Sequence, residues 1–323
     1  MKNIAVIMPV YNAHKTIKQT LMSIGMQRHI EFKLYMVVDG EEQGTYDYLQ
    51  NYCDIDMEIM YMEENGGPGV ARQYGIDHSE EPFISFIDSD DTYLSSLSLY
   101  YQQKPLFTDT NAMVSCDFLQ ENKDQSIRLR ERDMVWMHGK MYRRAFLDKY
   151  GIRFNETRAN EDVGFNTQCQ CYANENEQVF LSKDITYVWQ WRDDSTVRTD
   201  NNAYAFDQSI SGYVENKIYA FNKVIEKQGY DNTVNYLIIK AQCHLFKKYL
   251  VAMLKAPKQV KHVKKWAKKF YREMYRTVDI EYREQGEATI LAQSGLDKPE
   301  HYDEYKKWLG MLLTPKKRKK RVS

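Results

Sequence analysis

No apolar run in this chain approaches the ~18–20 residues that a bilayer-spanning helix needs. The longest early run, Ile4–Met8, is enough for a strand and too short for the core of a signal peptide. The expected compartment is therefore a cytoplasm, with peripheral attachment to a membrane as the variant. Cysteine is scarce and scattered: Cys53, Cys116, Cys169, Cys171 and Cys243 form no C-x-x-C pair, so a zinc ribbon or a redox pair is not expected. Internal repeats are absent, and so are G-x-x-x-x-G-K-[ST] and a G-x-G-x-x-G after the first strand. Net charge is lacking too, but unevenly. Of 45 basic and 45 acidic residues, 22 basic and 9 acidic lie from Lys240 onward, which leaves 23 and 36 before it. An acidic front and a basic back point to an anionic partner for the back.

What is present is a 43% hydrophobic share, enough for a core in a chain of 323 residues. The first ninety residues alternate strand and helix patterns. Ile4–Val10, Phe32–Val38, Met57–Met62 and Phe83–Ile87 read as buried strands. Lys15–Gln27, Thr45–Tyr52 and Val70–Asp77 read as helices between them. That order predicts an α/β doubly wound sheet, with ligands beyond the carboxyl ends of its strands. Asp39, the cluster Asn65–Gly69 and Asp88–Asp91 fall at those ends. Further on, Met113–Cys116, Val179–Leu181 and Ile185–Trp191 are expected strands. Met141–Tyr150 and Glu161–Tyr172 are expected helices. After a boundary between Thr196 and Ala203 the pattern is helical: Tyr213–Gln228, Thr233–Leu254, Gln259–Arg276 and Pro299–Leu313.

Asp88-Ser89-Asp90 is the sharpest local feature. Two carboxylates directly after an apolar strand suit a hard divalent cation such as Mn²⁺ or Mg²⁺. Standing alone, they read rather as a solvated turn or a helix cap.

Four motifs in order carry a resemblance. They are Pro9-Val10-Tyr11-Asn12, Val37-Val38-Asp39, Asn65-x-Gly67 with Ala71-Arg72 and Gly75, and Phe86-Ile87-Asp88-Ser89-Asp90-Asp91. Together they resemble family 2 glycosyltransferases over residues 3–92. His138-Gly139-Lys140-Met141-Tyr142-Arg143, Gly151–Phe154, Glu161-Asp162 and Tyr187 to Ser195 resemble the acceptor half more loosely. The resemblance implies an inverting enzyme of GT-A fold, a Rossmann-like, mostly parallel sheet over 1–200. A nucleotide-sugar half is expected over about 1–92 and an acceptor half over 93–200. A helical basic region over 201–313 and a mobile basic tail over 314–323 would follow.

The resemblance also implies roles. Pro9, Tyr11, Asn12, Gly67 and Ser89 would line the nucleotide-sugar site. Asp39 would bond the base, with Arg72 close to the same ligand. Asp88 would orient ribose or sugar hydroxyls, and Asp90 would hold the Mn²⁺ or Mg²⁺. Asp162, with Glu161 beside it, would be the general base. His138, Lys140 and Arg192 are candidates for the diphosphate. Without the resemblance, Glu161 and Asp162 read as an acidic helix start, and His138 equally as a core histidine. The family usually has two acids after the second strand. Here Asp39-Gly40-Glu41 displaces the second, so uridine diphosphate is carried over only as the family's common choice.

The lysines of 240–276 leave three expectations for the back half. They are nucleic acid, with hydroxymethylated phage DNA as the acceptor, an anionic membrane or glycan, or simple solubility. Nucleic acid is placed first. A non-catalytic nucleic-acid-binding or scaffold protein on a transferase fold is the competing class. A nucleotidyltransferase is disfavoured because Pro9–His14 holds no phosphate loop rich in Gly, Arg and Lys.

Overall fold

A computed structural model describes residues 3–52, 54–192 and 208–313. The chain divides into two compact units, Met1–Thr199 and Asp200–Ser323. Ser195, the stretch 196–203 and the basic run 316–321 lie outside the described residues.

The first unit runs β1 (Ile4–Val10), α1 (Ile17–Gly25), β2 (Phe32–Asp39), β3 (Met57–Met62), α2 (Pro68–Asp77) and β4 (Phe83–Phe86). It continues β5 (Thr92–Tyr93), α3 (Ser98–Gln103), β6 (Asn111–Glu121), β7 (Ile127–Arg130), β8 (Lys140–Arg143), α4 (Arg144–Tyr150), α5 (Glu161–Tyr172) and β9 (Gln178–Trp189). The sheet order is β3-β2-β1-β4-β8-β6-β9-β5, with β7 on β6. Strands β3, β2, β1 and β4 are parallel. Past β4 the sheet is mixed, with β8 antiparallel to both neighbours and β9 parallel to β6. The architecture is thus a mixed, Rossmann-like α/β sheet.

Strand β1 is buried along its whole length because both faces are covered. Ile4, Val6, Met8 and Val10 join the core that holds Ile17, Leu21 and Ile24 of α1. Ile7 points to the other face, against α2. Gly75 is what lets α2 come so near, since a Cβ there would lie 2.4 Å from Ile7 Cγ2. Gly75→Ala is expected to cost ~1–3 kcal/mol through overpacking. Denaturant titration checks this, and an unchanged midpoint would contradict the packing.

Three sequence expectations in the first unit need correction. Thr45–Tyr52 is not an α-helix; only a 3₁₀ turn forms, over Asp47–Leu49. Tyr46 is drawn into the core instead. Its hydroxyl accepts the Ala13 N–H at 3.0 Å and donates to Glu41 Oε2 at 3.1 Å. Its N–H is taken by Tyr61 Oη at 3.0 Å. Met141–Tyr150 is not one helix: Met141 and Tyr142 lie in β8, between β4 and β6, and α4 starts only at Arg144. Val179–Leu181 and Ile185–Trp191 merge into the single strand β9, which follows β6 through register shifts.

The second unit contains, among the described residues, α6 (Gln208–Gln228), α7 (Asn232–Lys255), α8 (Val260–Glu273), α9 (Ile280–Gln293) and α10 (Pro299–Leu313). Asp231 and Asp279 cap α7 and α9, accepting the backbone N–H of Val234 and of Glu281. The helix expected over Gln259–Arg276 stops at Glu273 and passes into a 3₁₀ turn at Tyr275–Thr277. Helix α9 was not expected at all. Ile290 and Leu291 are its buried apolar residues, so its sequence has little periodicity to read. No helix among the described residues is long and apolar enough to cross a membrane.

Candidate active site

The ends of β1, β2 and β4 form one rim. Asp39 closes β2 and is buried. Its Oδ1 and Oδ2 accept the N–H groups of Gly66 and Gly67 at 2.7 and 2.9 Å. The Asn65 side chain donates to its carbonyl at 3.1 Å. Asp39 thus fixes the loop that opens α2, where Gly67 has φ 89°, a conformation costly for other residues. Pro9 is buried in β1, past the last β1–β4 pair at Ile7 and Phe86. Tyr11 is 60% exposed, so its ring is open at the rim. Asn12 is left-handed at φ 53°, and its N–H donates to Glu41 Oε2 at 2.9 Å. Glu41, the displaced second acid, therefore braces the loop after β1 through Asn12 and Tyr46.

Behind this rim, Arg72 of α2 ties two segments together. Nη2 donates to Asp88 Oδ1 at 2.6 Å and Nη1 to Glu161 Oε1 at 2.7 Å. Burial opposes the guanidinium charge, but Asp88 and Glu161 outweigh it and hold its pKa above the usual value. Burial likewise opposes ionisation of Asp88. The Arg72 guanidinium bonded to it overcomes that and keeps its pKa low. The tie places the start of α5 at the site. There Asp162 is buried, and burial followed by the charge of Glu161 pushes its pKa well above the carboxylate range. Among the described residues its hydrogen bond is local, accepted by Oδ1 from the Val163 N–H at 2.7 Å. Two adjacent acids thus differ: Glu161 anchors Arg72, and Asp162 is primed to take up a proton.

Ser89 is buried, and Asp90 Oδ2 pairs with Arg192 Nη1 at 3.2 Å. Asp91, which sequence reasoning did not single out, has no accessible surface. Its Oδ2 accepts the Tyr187 hydroxyl at 2.7 Å and its Oδ1 the Gln190 N–H at 2.9 Å. This brace holds the end of β9, and hence Arg192, beside Asp90. Sequence gave no hint of it, since Tyr187 is 96 residues away.

His138 is packed among Phe118, Tyr187 and Trp189, with ring centroids 5.1, 4.8 and 5.0 Å away. Burial pushes its pKa down to about 3, so the ring is neutral. Lys140 has no accessible surface. Its Nζ donates to His138 O at 3.4 Å, and burial lowers its pKa to about 8. In this arrangement it supports the His138 turn from within. Asp133, 3.9 Å from Lys140 Nζ, also went unnoticed in the sequence.

The residues fit a divalent cation. Asp88, Asp91 and His138 each place one ligand atom within 4.8 Å of the others. His138 Nδ1 is buried with no hydrogen-bond partner. Asp91 is engaged on both oxygens by Tyr187 and Gln190, whereas Asp88, held through Oδ1 by Arg72, and Asp90, paired through Oδ2 with Arg192, are part-exposed carboxylates of the hard-oxygen kind that Mn²⁺ and Mg²⁺ take.

Known proteins resemble this chain in sequence and in fold. Residues 5–159 match the family model described as glycosyl transferase family 2. A putative teichuronic acid biosynthesis glycosyltransferase of Bacillus subtilis, TuaG, is 37% identical over 92 residues, 28% of this chain and 36% of that protein. The chain thus matches about a third of that relative's length. A crystallised S. aureus TarS fragment in complex with UDP-GlcNAc shares the fold at a TM-score of 0.69 and 19% identity, over 96% of this chain and 92% of that one. The Pyrobaculum calidifontis mannosyltransferase PcManGT, in complex with GDP-Man and Mn²⁺, aligns at a TM-score of 0.52 and 17% identity, over 96% and 84%. The four strand-end motifs all lie inside residues 5–159, the stretch of this chain that matches glycosyl transferase family 2.

Proposed function

We propose that the chain transfers a sugar from a nucleoside diphosphate, with uridine first among the bases, to an acceptor hydroxyl with inversion at the anomeric carbon. The observation that carries this reading is the Asp88–Arg72–Glu161 tie, which brings the donor-side acids and the raised-pKa Asp162 to one site. The acceptor oxygen bonds to the anomeric carbon as the bond from that carbon to the diphosphate oxygen breaks. The acceptor proton passes to Asp162, which must lie within ~3 Å of it. The electron pair leaves with the diphosphate. Asp39 and the exposed Tyr11 face the base, Asp88 the ribose or sugar hydroxyls, and Arg192 the phosphates. A divalent cation, Mn²⁺ or Mg²⁺, held by Asp90 with Asp88 beside it, would neutralise the leaving diphosphate. The pairing of Arg192 with Asp90 supports a phosphate-side role for Arg192.

For the acceptor, a likeness to a protein named for teichuronic acid supports an anionic glycan. Hydroxymethylated DNA, the first expectation from the basic back half, has no such support. The test is a screen of nucleotide sugars with Mn²⁺ and with chelator, followed by mass analysis of products. Absence of donor binding and turnover in both conditions would leave a scaffold on a transferase fold. Asp90→Ala is expected to lose at least ~10²-fold of the metal-stimulated rate while keeping the parent's thermal midpoint. Full metal-dependent activity in that variant would contradict the assignment.

A further inference from the structure

The second unit carries a surface that donor chemistry does not use. Helix α7 ends at Lys255, and Pro257 starts a short 3₁₀ turn that leads into α8. At this corner Leu254 is 84% exposed and Met253 50% exposed. Lys255, Lys258, Lys261 and Lys265 surround them in sequence and are all exposed. No Asp or Glu occurs from 240 to 272, so local carboxylates do not neutralise these cations. The apolar face of α8 is already spent: Val263, Ala267, Phe270 and Tyr271 are buried within the unit. What the corner exposes is therefore a pair of apolar side chains followed closely in sequence by exposed lysines.

The end of α10 lies at the same place. Lys264 Nζ sits over the Tyr249 ring at 5.1 Å and 3.9 Å from Met311 Sδ. Met253 follows Tyr249 by one helical turn, on the same face of α7. Met311 and Leu313 are exposed, and the sequence then continues into the basic run Lys316–Arg321.

We propose that this corner is a peripheral contact for an anionic lipid bilayer, with Met253 and Leu254 entering the interfacial layer and the lysines meeting lipid phosphates. Charge alone would serve DNA or a soluble polyanion equally. The exposed aliphatic pair adds the apolar element that a bilayer rewards and an aqueous polyanion does not. The inference is independent of the donor-site reading, because it rests on the second unit alone.

Co-sedimentation of the full chain with vesicles tests it, using phosphatidylcholine alone and phosphatidylcholine mixed with phosphatidylglycerol. Binding is expected only to the anionic vesicles. Leu254→Ser is expected to weaken it about tenfold through lost apolar burial. A Lys258→Glu/Lys261→Glu/Lys265→Glu chain is expected to weaken it by at least ~10-fold. Circular dichroism checks that both variants remain folded, as substitutions at exposed positions should. Failure to bind anionic vesicles would overturn the proposal. Unchanged binding by Leu254→Ser would overturn it as well, leaving a charge-only site for DNA or an anionic glycan.

Discussion

Asp162→Asn is expected to lower sugar transfer by ~10²–10⁴-fold, the range that a positioned general base contributes. Nucleotide affinity should stay close to that of the parent. The two acids at the start of α5 divide their work. Glu161 is committed to Arg72 at 2.7 Å, whereas Asp162 makes a single local bond to its neighbour's N–H. Burial first, and the Glu161 charge second, raise the Asp162 pKa well above the ordinary carboxylate range. A base acts when deprotonated, so transfer should climb as pH rises through that raised value and level off above it. In the asparagine variant the same limb should vanish, because the amide cannot accept the proton. Rates across pH for both proteins, with nucleotide titrations alongside, check the prediction. Parent-like transfer by Asp162→Asn would remove it from the chemistry.

Arg72→Ala is expected to cost ~3–5 kcal/mol of stability, because removing one partner of a buried ion pair strands the other. Here two carboxylates, Asp88 and Glu161, would lose the cation between them. The effect has a pH signature. Asp88 has a depressed folded pKa. Its contribution is therefore fully present above the unfolded value and is lost as pH falls through the folded one. The gap between parent and variant should narrow on acidification. Arg72→Lys should recover little, since one ammonium cannot reproduce the two-armed geometry of the guanidinium. Denaturant curves at neutral and acidic pH measure this. A variant as stable as the parent at neutral pH would show that the tie does not hold the site together.

The strand ends were legible because each is a short apolar run stopped by Asp, Gly or Asn. β1 and β3 have the bounds their composition suggests, and so does α5. Long-range partners were not legible. Tyr46 leaves a helical pattern because its hydroxyl finds Ala13 and Glu41. Met141 and Tyr142 join the sheet because β4 and β6 leave a place between them. The same holds at the site. Asp88 and Asp90 announce themselves beside a strand. The reason Asp91 matters, its bonds to Tyr187 and Gln190, depends on residues almost a hundred positions away. Asp39 was recognised as a rim acid, but its grip on Gly66 and Gly67 emerges only once the loop has closed around it.

The central claim, that acids at the sheet rim hold a cation against a departing diphosphate, is tested most directly by anomalous diffraction at the manganese edge from crystals grown with UDP and Mn²⁺. One peak is predicted, in contact with the Asp90 carboxylate and the nucleotide's phosphates. Bound UDP with the manganese peak remote from Asp88 and Asp90 would contradict it.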